Sequence, residues 1–233
     1  MFYLRKIGIV GGLSPESTIL YYKTIVDEFR RRFGSEDYPD IIIYSVNFGA
    51  FTRFVEEGRR EEAAELLLKA VKALARAGAD FAIISANTPH MFFDYLVAHS
   101  PIPLISIIDA LAEELEKDGV RRVGLLGTKF TLTQGFYAEG LGSHGIEAVI
   151  PDPEGVEVVN RIIYEELVKG VIKESSRTEV VGIIKKLAEK GAKGVALACT
   201  ELPLLISGEV GGIKLYDTAR IHAVKALEYA LTD

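Results

Sequence analysis

Short apolar, β-branched runs alternate with stretches of helical periodicity along almost the whole of this chain, and the alternation comes round twice. The runs Lys6–Val10, Ile41–Val46, Phe81–Ser85, Leu104–Ile107, Arg122–Leu126, Ala148–Ile150, Gly194–Ala198 and Ile213–Tyr216 read as strands. Helical spacing fills Glu16–Arg32, Arg60–Ala77, Ala110–Lys117, Leu132–Leu141, Val156–Lys169, Glu179–Lys190 and Ala219–Leu231. Strands that are apolar at nearly every position must be covered on both faces, so the pattern predicts an α/β fold with parallel sheets. Within it the segment Gly8-Ile-Val-Gly-Gly12 resembles Gly124-Leu-Leu-Gly-Thr128, 116 residues on. Gly78–Thr88 resembles Gly191–Glu201, with Ala86 and Cys199 113 apart, and Leu104–Ser106 lies over Leu215–Asp217 at an offset of 111. All βα units share some Gly-Ala and Ile-Val usage, but three ordered matches at a nearly constant offset argue for duplication. The expectation is two similar flavodoxin-like lobes related by a pseudo-twofold duplication: residues 1–103, and residues 104–216, with 217–233 packing back on the first.

Composition narrows the function classes. Of 233 residues, 48% are hydrophobic and 26% charged, an ordinary globular balance able to fill a core. No apolar run approaches the roughly 18 residues that span a bilayer, and Met1–Arg5 leads straight into a strand pattern without a signal-peptide layout. The reading is a soluble, cytoplasmic protein. A net charge of −6 with no basic stripe argues against nucleic-acid or membrane partners. Cys199 is the only cysteine, and His90, His99, His144 and His222 show no ligand spacing, so no internal disulfide, thiolate metal site or structural zinc is expected. Only three Asn (47, 87 and 160) and one Gln (134) stand among abundant Lys, Arg and Glu, a pattern that suits a thermophile.

The retained labile residues cluster. In doubly wound sheets ligands bind beyond the carboxyl ends of the strands, and the loops there hold Gly11-Gly-Leu-Ser-Pro-Glu-Ser17, Asn47-Phe-Gly49, Ala86-Asn-Thr-Pro-His90, Gly127-Thr128 and Cys199-Thr-Glu201. The first lacks the G-x-G-x-x-G spacing of a dinucleotide site. One reading is a tight turn whose free N–H groups at Gly12, with Ser14 and the next helix start, hold a small carboxylate; the other is a plain βα turn with Ser14 as a cap. Cys199 follows four apolar residues at a strand exit. It is either a small core hydrophobe or a thiol that a helix N-terminus activates by lowering its pKa from about 8.5 toward about 7.

Gly11–Thr18, Ala86–His90, Leu125–Thr128 and Cys199–Glu201, in this order over nearly the whole chain, resemble the aspartate/glutamate racemase superfamily, closest to aspartate racemases and broader aspartate/glutamate racemases. The resemblance implies two α/β lobes, no pyridoxal phosphate and no metal, a small amino acid or dicarboxylate held between the lobes, and a homodimer. It also implies two cysteines on opposite sides of the substrate Cα, one removing the proton and the other returning it. Asn87, Thr88, Thr128 and Thr200 are then candidate donors to the carbanion's carboxylate. Glu201 orients neighbours, Asn47 joins the binding loops, and Arg53 and Lys173 are candidates for a second carboxylate or are plain surface charges.

The chain departs from the family where the first cysteine belongs: Ala86 stands there, a catalytic position left vacant. Ser85 precedes it and should point to the opposite side of the strand. Three readings follow: a slow or one-directional amino-acid racemase, one-sided proton chemistry such as decarboxylation or isomerisation of a small dicarboxylate, and a small-acid binding protein without turnover.

Overall fold

The computed structural model describes residues 4–232. The apolar runs become β1 (Ile7–Gly11), β2 (Ile41–Ser45) and β3 (Phe81–Ile84), then β4 (Arg122–Gly127), β5 (Glu147–Val149), β6 (Gly194–Ala198), β7 (Glu209–Val210) and β8 (Ile213–Asp217). They form two sheets, in the orders β2-β1-β3 and β5-β4-β6-β8-β7. Every pairing is parallel except β7 with β8. Leu104 bridges in parallel to Ala82 on the free side of β3, the place that β8 takes beside β6. The order is therefore the same twice, and the fold is two similar α/β lobes, as the repeat predicts.

Eleven α-helices separate the described strands: α1 (Pro15–Phe33), α2 (Phe48–Glu56), α3 (Arg60–Arg76), α4 (Phe93–His99), α5 (Ile107–Lys117), α6 (Lys129–Thr133), α7 (Phe136–Ser143), α8 (Pro153–Glu165), α9 (Glu174–Glu189), α10 (Leu202–Leu205) and α11 (Thr218–Leu231). The chain divides into two compact units, Met1–Ile107 with His222–Asp233, and Ile108–Ile221. In the first, Val10, Ala82 and Ile84 pack under Leu67, Val71 and Leu74 of α3. In the second, Val195, Leu197 and Leu215 pack with Val159 and Ile163 of α8 and Ile184 of α9.

Local chemistry explains the boundaries. Ser14 accepts from Ser17 N–H at 3.2 Å to start α1, Pro15 occupies the first turn, Arg30–Arg32 face the negative pole, and Gly34 closes the helix at φ 61°. The expected helix Leu132–Leu141 divides into α6 and α7 because Gly135 takes φ 81°. The expected helix Val156–Lys169 ends at Glu165, and a 3-10 turn, Leu167–Lys169, follows. Here the buried Glu166 carboxylate gathers Ser176 Oγ at 2.5 Å, Arg161 at 3.2 Å and Lys173 at 3.3 Å. The expected strand Leu104–Ile107 contracts to the single bridge at Leu104, since Ile107 already opens α5.

From His222 on, the last helix belongs to the first unit, and specific contacts hold it there. Tyr229 packs edge-on to Phe81 at 4.7 Å between centroids, Arg5 lies over the Tyr229 ring at 4.7 Å, and Arg5 N–H donates to Ala230 O at 3.1 Å. Arg32 pairs with both Glu28 and Glu228.

Candidate active site

In the second unit β4 and β6 are neighbours, with Gly127 opposite Ala198. The residues that follow, Thr128 and Cys199, therefore stand side by side at the carboxyl edge of one sheet. Thr128 caps α6: its Oγ1 accepts Thr131 N–H at 3.2 Å and lies 3.0 Å from Thr131 Oγ1. Asn160 fastens the same loop, its Oδ1 accepting Lys129 N–H at 2.9 Å. Cys199 is 8% exposed, against the apolar cluster of Leu197, Leu202 and Leu205. Its thiol donates to Glu201 Oε2 at 3.0 Å, and Thr200 Oγ1 donates to the same oxygen at 2.8 Å.

This geometry corrects the expected lowering of the thiol pKa. Burial pushes the Cys199 thiol well above its ordinary value, and the Glu201 carboxylate adds to the rise; hydrogen bonds from the Glu201 and Leu202 backbone pull weakly the other way. A negative charge 3.0 Å away outweighs the dipole of a four-residue helix. The resting sulfur keeps its proton.

In the first unit the loop after β1 is satisfied from within. Gly12 N–H donates to Thr18 Oγ1 at 2.8 Å, and Thr18 Oγ1 donates to Ser14 O at 2.9 Å. The expectation of a free Gly12 N–H is thus corrected: the turn's donor serves its own helix, and Ser14 acts as the cap of α1. Gly12 has φ 80°, and a Cβ there would lie 2.4 Å from Val46 O, so only glycine fits. Asn47 likewise caps α2, accepting Ala50 N–H at 2.8 Å. Asn87 is buried and Thr88 begins the 3-10 turn Thr88–Phe92 at the end of β3. Ser85 is fully buried, its hydroxyl donating to Val10 O at 3.2 Å and lying 3.4 Å from Thr18 Oγ1. Its hydroxyl is thus engaged inside the first unit. Arg53 is exposed on α2, and Lys173 is engaged with Glu166.

His90 and His222, which in the sequence are only histidines without ligand spacing, are buried side by side in the first unit. His90 Nδ1 lies 2.9 Å from Ala86 O, and its Nε2 accepts Ile107 N–H at 3.1 Å. His222 packs edge-on against it at 5.5 Å. The i to i+4 spacing of Ala86 and His90 was the available signal. Among the described residues no group of three or more His, Cys, Asp and Glu could hold a metal ion, and no helix is long and apolar enough to cross a membrane.

The family model for Asp/Glu/Hydantoin racemases matches residues 10–226. This chain belongs to that family. It is 27% identical over 161 residues to the broad specificity amino-acid racemase RacX of Bacillus subtilis (strain 168), covering 67% of this chain and 69% of that one. It is 44% identical to an aspartate racemase homologue of Pyrococcus horikoshii OT3, with a TM-score of 0.89 over 98% of this chain and all of the other. The aspartate racemase of Picrophilus torridus, 23% identical with a TM-score of 0.75 over 97% of this chain and 94% of its own, shares the fold. A racemase-type isomerase is the general class that these relatives support.

Proposed function

We propose that the protein is a cofactor-independent, thiol-dependent catalyst of proton transfer at the Cα of aspartate, glutamate or a related small acid, with Cys199 as its single acid/base. The observation that carries this reading is the hydrogen-bonded pair Cys199 Sγ and Glu201 Oε2, 3.0 Å apart at the carboxyl end of β6. The thiol proton passes to the Glu201 carboxylate, and the thiolate then takes the Cα proton. The electron pair left on carbon moves into the substrate carboxylate as an enediolate. Reversal returns a proton from sulfur to carbon and the carboxyl proton to sulfur, so protons and charge balance. Thr128 in the second unit is a donor suited to an enediolate, Thr200 spends its hydroxyl proton on Glu201 and so supports that carboxylate, and Asn87 and Thr88 keep the donor role the resemblance gives them.

A single thiol works on one face of Cα. Ala86 has no proton to give, and the Ser85 hydroxyl is committed to Val10 O. The expected outcome in heavy water is therefore deuterium at Cα with largely retained configuration, and slow inversion. The measurement is mass spectrometry with chiral chromatography on L- and D-aspartate and L- and D-glutamate. Cys199→Ala is expected to abolish exchange, and Ala86→Cys to add inversion. Full exchange by Cys199→Ala sinks the assignment. Tight binding of these acids with no exchange favours a binding protein instead.

A further inference from the structure

Beneath the loop that follows β3 lie two imidazoles whose every polar atom is used. His90 Nδ1 is 2.9 Å from Ala86 O, and His90 Nε2 is 3.1 Å from Ile107 N. A peptide carbonyl only accepts and a peptide N–H only donates. Nδ1 must therefore carry the proton and Nε2 must be bare. His222 shows the reverse: its Nε2 donates to Ile105 O at 2.9 Å, which leaves Nδ1 to accept from Tyr21 OH at 2.9 Å. Phe93 stacks on His90 at 5.4 Å. A second proton on His90 would face the Ile107 N–H, a group that can only donate. Burial pushes His90 down to about 4 and, with His90 adjacent, His222 down to about 3, so both rings are neutral.

An imidazole buried only to fill space gains nothing over Phe or Leu, and its polar atoms must be satisfied. Here the satisfied partner is specific. β3 ends at Ile84, and beyond it Ala86 N–H turns back to Ile84 O at 2.8 Å. A side chain takes over where the sheet ladder stops.

We infer that His90 is a positioning residue: its fixed Nδ1–H tautomer holds the Ala86 carbonyl and so sets the peptide that presents residue 86, Asn87 and Thr88. The inference rests on the reading that this loop serves the proton-transfer reaction. Two variants separate positioning from packing. His90→Asn keeps an N–H donor near the place of Nδ1, whereas His90→Gln keeps an acceptor for Ile107 N–H and releases Ala86 O. Deuterium exchange at Cα of aspartate and glutamate is expected to stay within a few-fold in His90→Asn. In His90→Gln it should fall by about 10- to 100-fold in kcat, the scale of a misplacement of about 1 Å, with similar Tm in both. Equal rates in the two variants, or losses that follow Tm alone, overturn the inference. If the wild-type protein exchanges none of these acids, the functional reading fails instead, and the brace is judged without turnover. Nitrogen-15 shifts should then show His90 protonated at Nδ1 and bare at Nε2 at pH 7, and amides 85–88 should exchange faster in His90→Gln than in His90→Asn. A proton on Nε2, or equal exchange in both variants, rejects it.

Discussion

At the scale of single residues, the decisive pairing is a thiol with a carboxylate. A thiolate beside Glu201 would face its negative charge, so the pair holds one proton on sulfur and releases it only when something offsets that charge. Removing the charge should free the thiol. In Glu201→Gln the midpoint of Cys199 ionisation is expected to shift down, while exchange at Cα slows by about tenfold or more for want of a proton acceptor. The pH dependence of iodoacetamide alkylation reads this cleanly, because the chain has one cysteine; an unmoved midpoint would mean that Glu201 does not touch the sulfur in solution. The sequence placed Cys199 at a polar strand exit, and that much was legible from four preceding apolar residues. The sign of its pKa shift was not, because it depends on where a side chain two residues on swings its carboxylate. Gly12 gives a second test. Gly12→Ala forces a Cβ onto Val46 O at φ 80°. The αL conformation alone costs about 1–2 kcal/mol, and the 2.4 Å approach adds to it, so a clear fall in Tm is expected in thermal denaturation.

Among the elements, β1, β3, β4 and β6 were readable because a doubly covered parallel strand is apolar at nearly every position, whereas the edge strand β2 is equally apolar but half-buried to exposed along its length, against the expectation of cover on both faces. The short helices were not. The helix α2 depends on the Asn47 side chain capping its first turn, and α4 continues directly from a 3-10 turn, so neither shows a long period. The two-residue β7 turns back antiparallel onto β8, with Val210 packed against the core, and leaves almost no pattern. The buried histidines show how distant elements combine unseen, since His222 meets Tyr21 across 201 positions of sequence. Their burial has a consequence for stability. In the unfolded chain a histidine binds its proton near 6.5, whereas folded His90 resists protonation until about 4. The unfolded state therefore takes up more protons in this window, and stability falls as pH drops from about 6.5 toward 4. The loss approaches about 3 kcal/mol for one fully buried ring. Urea denaturation at pH 7.5 and pH 5 should show the drop, and His222→Phe should shrink it; a pH-independent midpoint across this range would contradict neutral burial.

Over the whole molecule, duplication explains why one reading of βα alternation reached so far, and the chain ends explain what it left out. The sheet orders β2-β1-β3 and β5-β4-β6-β8 repeat one plan, yet only the second unit is one continuous stretch; the first joins two separate segments. The first unit is closed by residues from both ends: Arg5, Phe81 and Tyr21 meet Ala230, Tyr229 and His222. Periodicity marks α11 as a helix, and the expectation that 217–233 packs back on the first lobe came from the duplication; neither reveals the aromatic and imidazole partners, far away in sequence, that α11 meets. A chain ending at Ile221 should therefore lose stability unevenly. It exposes the Phe81 and Tyr21 side chains and removes the acceptor of the Tyr21 hydroxyl. It leaves the pairing of β4 with β6 untouched. Amide hydrogen exchange should show protection lost first in β1, β3 and α1, while β4 and β6 hold theirs. Uniform loss across both sheets would mean that α11 stabilises the chain as a single cooperative whole rather than as part of the first unit.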